Sequence, residues 1–211
     1  MADPRVDLLH ACQAMDAVRL SPGTSGNLSV RDGKGYWITP SGVPYADLNA
    51  DMMVFMDLKG KWKGDLKPSS EWRFHLDIYC EREDAGGICH THSTHATALA
   101  CRREGIPAFH YMVAAAGGPD IRCAPYRTFG TQELSDVALD ALEDRRACLL
   151  ANHGVIALGE TVAKALKLAQ EVETLAEQYI ASRQLGSPAI LSADEMAIVL
   201  EKFGAYGQQK T

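Results

Sequence analysis

Histidines stand at positions 90, 92 and 95 in the stretch CHTHSTH, and another stands at 153 in ANHGVIA. Imidazole is a good ligand for zinc, and a catalytic zinc ion takes three protein ligands and keeps one position open. In a strand, residues two apart share a face, so His90 and His92 can grip one ion while Cys89 points the other way. His95 breaks that spacing after the Ser93-Thr94 turn and leaves the face. The best third ligand is His153, at a strand end and followed by a glycine that would let its side chain project into a cleft. A lone His-x-His is equally the pattern of two partly exposed strand histidines, and spacing alone does not decide between them. His10, His75 and His110 have no companions and read as structural.

Three short stretches, TSGN (24–27), TPSG (39–42) and PSS (68–70), combine small hydroxyl residues with tight turns. Glycine turns and first helical turns present several backbone N–H groups at once, which can hold a phosphate without Lys or Arg. Each alone is an ordinary loop signal. Ser69-Ser70 abuts Glu71, which reads either as a carboxylate moving a proton beside a bound phosphate or as a favourable charge at a helix N-terminus.

These groups need elements to position them. Residues 4 to 20 carry Val6, Leu9, Cys12, Met15 and Val18 at three-residue spacing, which predicts an amphipathic helix ended by Ser21-Pro22-Gly23. Runs at 28–30, 36–38 and 53–56, separated by Asp-Gly, Ser-Gly and Lys-Gly, predict hairpin strands. A helix follows Ser70, with Phe74, Ile78 and Tyr79 on one side. A strand covers 87–92, and a short helix follows from about Thr94. Beyond Gly105-Ile106-Pro107 the pattern predicts a strand-rich stretch to about Arg127. Thr131 caps a helix with Leu134, Val137, Ala138, Ala141 and Leu142 on one face. ACLLANHGVIALG predicts two strands around a His-Gly turn, 160–184 a long helix, and Ser192 the start of a last one. Strands and helices mix without regular alternation. The expected fold is therefore mixed α/β, with a largely antiparallel sheet flanked by helices on both faces in a single domain spanning 1–211.

The chain's 211 residues suffice for one sizeable core, and its formal charge of −6 argues against a nucleic-acid partner. No apolar run approaches the roughly 18 to 20 residues of a membrane span, and the N-terminus lacks a signal-peptide core, so a cytoplasmic protein is expected. The six cysteines are scattered without a C-x-x-C pair and read as small buried hydrophobes.

Taken in order, TSGNLSVR, ITPSGVPYADL, KPSSEWRFH, CHTHSTHATALA, IPAFHYMVAAAGG, CAPYRTFGT, ANHGVIAL and EKFGAYG resemble the class II aldolase family over essentially the whole length, nearest its fuculose-phosphate aldolase branch. The resemblance implies zinc held by His90, His92 and His153, with Glu71 as catalytic acid/base that also touches the metal. It implies a phosphate site at Gly26, Asn27, Ser41, Gly42, Ser69 and Ser70, and Tyr111 exchanging a proton with the aldehyde oxygen. Phe129 and Tyr206 shape the aldehyde end, Tyr206 reaching a neighbouring subunit's site in a fourfold homotetramer. The implied reaction is reversible cleavage of a 2-ketose 1-phosphate, of the L-fuculose 1-phosphate type, into dihydroxyacetone phosphate and an aldehyde such as L-lactaldehyde. The alternative substrates are 5-deoxyribulose and 5-(methylthio)ribulose 1-phosphates of methionine salvage. A related 4-epimerase resembles PSSD where this chain has Glu71, and a related dehydratase differs at the serine pair. An adducin-like structural module would lack the retained histidines.

Overall fold

In the computed structural model, which describes residues 3–204, the chain begins with helix α1 (Pro4–Ala17). Pro4 suits a first helical turn, and the Asp3 carboxylate accepts the Arg5 N–H ahead of it. The buried face is Leu8, Ala11, Cys12 and Met15, whereas Val6 and Val18 are exposed. The expected face was therefore displaced: a strict three-residue spacing drifts around a helix of 3.6 residues per turn, and the i, i+3, i+4, i+7 set stays on one side.

Strands β1 (Asn27–Asp32), β2 (Gly35–Ile38) and β3 (Val54–Asp57) form an antiparallel meander. Then come α2 (Trp72–Glu81), β4 (Gly87–Thr91), α3 (Thr94–Cys101), β5 (Cys123–Ala124), α4 (Gln132–Leu142), β6 (Ala147–Leu150), β7 (Gly154–Gly159), α5 (Val162–Gln184) and α6 (Ala193–Gly204). One seven-stranded sheet takes the order β3-β2-β1-β4-β7-β6-β5. Every neighbouring pair is antiparallel except β5 with β6, so the sheet is mixed.

Alternation along the central strands sorts residues between two cores. Leu28, Cys89, Val155 and Ala157 pack with α1, α3 and α5, while Ile88, Ile156 and Leu158 pack with α2 and α4. Asn27, Ser29 and His90 share the parity of the second set, which puts them on the α2 side. The register sets Asn27 directly opposite His90.

The expected strand-rich stretch up to about Arg127 is mostly irregular. It contains the two-residue β5, a bridge between Ile106 and Ile121, and a 3-10 turn at Tyr111–Ala116. Pro107, Gly117, Gly118 and Pro119 interrupt any ladder, and the apolar residues between them (Val113, Ala116) pack against the helical core instead. The cysteines also divide: Cys12, Cys89 and Cys148 are buried, but Cys80 and Cys101 are exposed, against expectation. Among the described residues no helix is long and apolar enough to cross a membrane.

Candidate metal centre and substrate cavity

His90 lies on the last turn-facing part of β4, fully buried, and its Nδ1–H donates to the Val155 carbonyl at 2.8 Å. A carbonyl only accepts, so this bond fixes the tautomer and leaves the lone pair of neutral His90 on Nε2. That atom lies 3.0 Å from His92 Nε2 and 3.1 Å from Glu71 Oε2. His92 follows the end of β4 but keeps the same-face relation.

His153 comes from the turn between β6 and β7. Asn152 adopts a left-handed φ of 56° there, reversing the chain. A Cβ on Gly154 would stand 2.3 Å from the Thr91 carbonyl and 2.9 Å from the His92 ring, so only glycine lets the turn close against β4. His153 Nε2 then sits 3.0 Å from Glu71 Oε1. The three imidazoles have pairwise centroid distances of 4.9 Å and interplanar angles of 72° to 82°.

Ligand atoms of Glu71, His90, His92 and His153 all lie within 4.8 Å of one another. A tetrahedral zinc site has neighbouring ligand atoms about 3.3 Å apart, given bonds of about 2.0–2.1 Å, and the observed approaches of 3.0 and 3.1 Å are close to that. Glu71 Oε1 is buried and makes no hydrogen bond, although His153 Nε2 is near. The two atoms are spaced as two ligands of one ion would be. This donor set fits a divalent cation. Burial pushes the Glu71 carboxyl upward, but the His90 and His153 rings facing it outweigh burial and hold it well below the usual carboxylate range. Burial, reinforced by His90 and His153, lowers His92 to about 3, which keeps its ring neutral, the form a ligand needs.

Glu71 does not cap α2, since its side chain makes no hydrogen bond to that helix's first turn. It stands at the N-cap position of that helix while its carboxylate belongs to the cluster. His95 leaves the face as expected. Glu173 of α5 accepts its backbone N–H and Nδ1, each at 2.8 Å, and the Ala96 N–H at 2.9 Å, capping α3 from outside.

The cluster forms one wall of a cavity of about 320 Å³. Gly26, Asn27, Ser41, Gly42, Ser69 and Ser70 all line it, together with Glu71, His92, His153 and Phe129. Among the described residues no Lys or Arg lines it, and its lining offers hydroxyl, amide and imidazole groups beside the Glu71 carboxylate. Tyr111 is not brought to this cavity: it is 51% exposed on its 3-10 turn, its ring 4.8 Å from that of His110. Tyr206 lies outside the described residues. Sequence reasoning missed Tyr126 and Asn152, which also line the cavity, and the hydrogen-bond partners behind Asn27. Tyr126 belongs to the same PYRTFG loop as Phe129, and an aromatic pair three apart in a turn-rich loop was its available signal.

A mixed seven-stranded sheet carrying a partly buried cluster of three histidines and one carboxylate that could hold a metal ion, beside a cavity, defines an α/β protein with a candidate metal centre. Residues 6–180 match the family described as Class II Aldolase and Adducin N-terminal domain, and the chain belongs to it. It is 57% identical over 203 residues to the 5-methylthioribulose-1-phosphate/5-deoxyribulose-1-phosphate aldolase of Rhodospirillum rubrum, covering 96% of this chain and 92% of the relative. It is 48% identical over 201 residues to the L-fuculose phosphate aldolase of Escherichia coli, covering 95% and 94%. A solved L-fuculose 1-phosphate aldolase superposes with a TM-score of 0.93 at 42% identity, covering 97% of each chain.

Proposed function

We propose that this protein is a zinc-dependent aldolase that splits 5-(methylthio)ribulose or 5-deoxyribulose 1-phosphate into dihydroxyacetone phosphate and an aldehyde. The observation that carries the reaction is one cavity in which Glu71 lies between the histidine cluster and the Ser69-Ser70, Gly26-Asn27 and Ser41-Gly42 turns. Substrate choice is drawn from the 57% relative in preference to the 48% one, so the L-fuculose reading gives way to the salvage-type ketoses.

His90, His92 and His153 would hold the ion, with Glu71 as a displaceable fourth ligand. Zinc supplies a Lewis acid for the oxygens of the dihydroxyacetone half. The serine and glycine turns hold the phosphate and fix which carbon faces Glu71. Loss of the proton from the C4 hydroxyl lets the C3–C4 bond break; its electron pair stays with C3 and the new aldehyde leaves. Glu71, once displaced by substrate, takes up a proton from solvent and delivers it to C3, completing dihydroxyacetone phosphate, while the C4-hydroxyl proton returns to solvent; in the reverse direction Glu71 removes the C3 proton. Tyr111, remote from its own chain's cavity, is assigned the C4-oxygen proton at the site of a neighbouring copy, in a homotetramer with active sites between subunits. Phe129 borders the aldehyde half.

A coupled assay for dihydroxyacetone phosphate, with the three candidate ketose 1-phosphates side by side, tests this reading. Chelator-sensitive release is expected, with kcat/KM higher for the two ribulose derivatives than for L-fuculose 1-phosphate. His92→Ala should lose stoichiometric zinc and turnover together; full zinc content with normal turnover would reject the ligand set.

A further inference from the structure

Behind the cavity wall, five side chains form an unbroken line. Asn27 Nδ2 lies 2.9 Å from Glu71 Oε2, and Asn27 Oδ1 lies 2.6 Å from His75 Nε2. His75 Nδ1 lies 2.7 Å from Ser29 Oγ, which lies 2.8 Å from the Tyr79 hydroxyl. His75 and Ser29 have no exposed surface, and Asn27, Glu71 and Tyr79 are buried as well.

Chemistry fixes the direction of each bond. An ionised Glu71 only accepts, so Asn27 turns its NH2 toward it; the opposite orientation would set two acceptors 2.9 Å apart. Asn27 then presents its oxygen to His75, which must carry its proton on Nε2. Neutral His75 has a lone pair on Nδ1, so the Ser29 hydroxyl donates to it and the Tyr79 hydroxyl donates to Ser29. All four bonds point the same way, toward the carboxylate, an arrangement in which each bond polarises the next. Burial, with His90 adding to it, lowers His75 to about 3 and keeps the ring neutral across the ordinary pH range.

We infer that His75 is a positioning residue: its Nε2–H locks the Asn27 amide, and through it Glu71, in the one orientation that leaves Glu71 Oε1 free to face the metal cluster and the substrate. The kinetic consequences rest on the aldolase reading, whereas the proton placement does not.

The test is histidine-labelled 15N NMR on the zinc-loaded full chain, combined with two variants. His75 should show the neutral Nε2–H tautomer; an Nδ1–H tautomer, or interconversion between the two, overturns the inference whether or not the protein proves to be an aldolase. His75→Leu should lower kcat about 10- to 100-fold with a much smaller change in KM. His75→Gln, whose amide N–H can reach the position of Nε2–H, should restore most of that loss. Equal losses in both variants, tracking a common fall in Tm, would reduce His75 to packing and overturn the assignment. If His75→Leu does not fold, Ser29→Ala replaces it: removing only the hydroxyl that feeds Nδ1 should produce a mixed tautomer, and an unchanged Nε2–H signal with unchanged kcat would count against the relay.

Discussion

The inner wall of the cavity and its mouth are built to different standards. Asn27, Glu71, His75 and His90 are at most 5% exposed, and apart from Glu71 Oε1 their polar groups are bonded by neighbouring strands and helices. At the mouth, Ser41, Gly42 and Ser70 are exposed, while Tyr126 and Phe129 are 47% and 64% exposed on one loop. A buried polar group left without a partner costs about 1–3 kcal/mol, so an inner-wall substitution disturbs a whole network. A mouth residue can change without that penalty. The part of the site proposed to move protons is therefore held by the fold, and the part proposed to meet the variable end of a substrate is left open to alteration.

Glu71→Gln is the sharpest challenge to this contrast. It keeps the shape but disturbs the network at Asn27, so it should lower Tm measurably, lower kcat about 10²- to 10⁴-fold and abolish solvent proton exchange into dihydroxyacetone phosphate. Undiminished exchange would place the acid/base elsewhere. Ser70→Ala acts at the border between the two regions. It should raise KM about tenfold, with kcat little changed, because it removes a hydrogen bond to a charged group; an equal fall in kcat would mean that the phosphate turn also orients the reacting carbon. Phe129→Ala should do least, altering the kcat/KM ratio between the methylthio and deoxy substrates only a few-fold. A collapse of turnover on all substrates would erase the distinction between wall and mouth.

Much of the inner wall was legible because it obeys short periods. The two-residue period of a strand brought His90 and His92 together and sent Cys89 to the opposite core, and the glycine after His153 marked a turn that closes tightly. What was not legible depended on register. Nothing local says that Asn27 stands opposite His90, since that pairing joins segments far apart in the chain. The positioning network did leave a trace: Asn27 and Ser29 are two apart on β1, and His75 and Tyr79 are four apart on α2. Polar residues at the correct period of each element, within otherwise apolar faces, imply facing partners. The irregular stretch after Ile106 defeated pattern reading because its apolar residues serve helix packing through a bridge and a 3-10 turn. Tyr111 was carried by family resemblance alone, and its own chain's cavity does not include it.

The pairing of β4 with β7, in which Thr91 meets Val155, also has a consequence for how the molecule comes into being. Helices can form from neighbours in sequence, but His90 and His153 meet only after a loop of about sixty residues has closed, and closing such loops is what slows folding. The cluster that would hold an ion is thus complete only once the middle of the sheet has zipped shut.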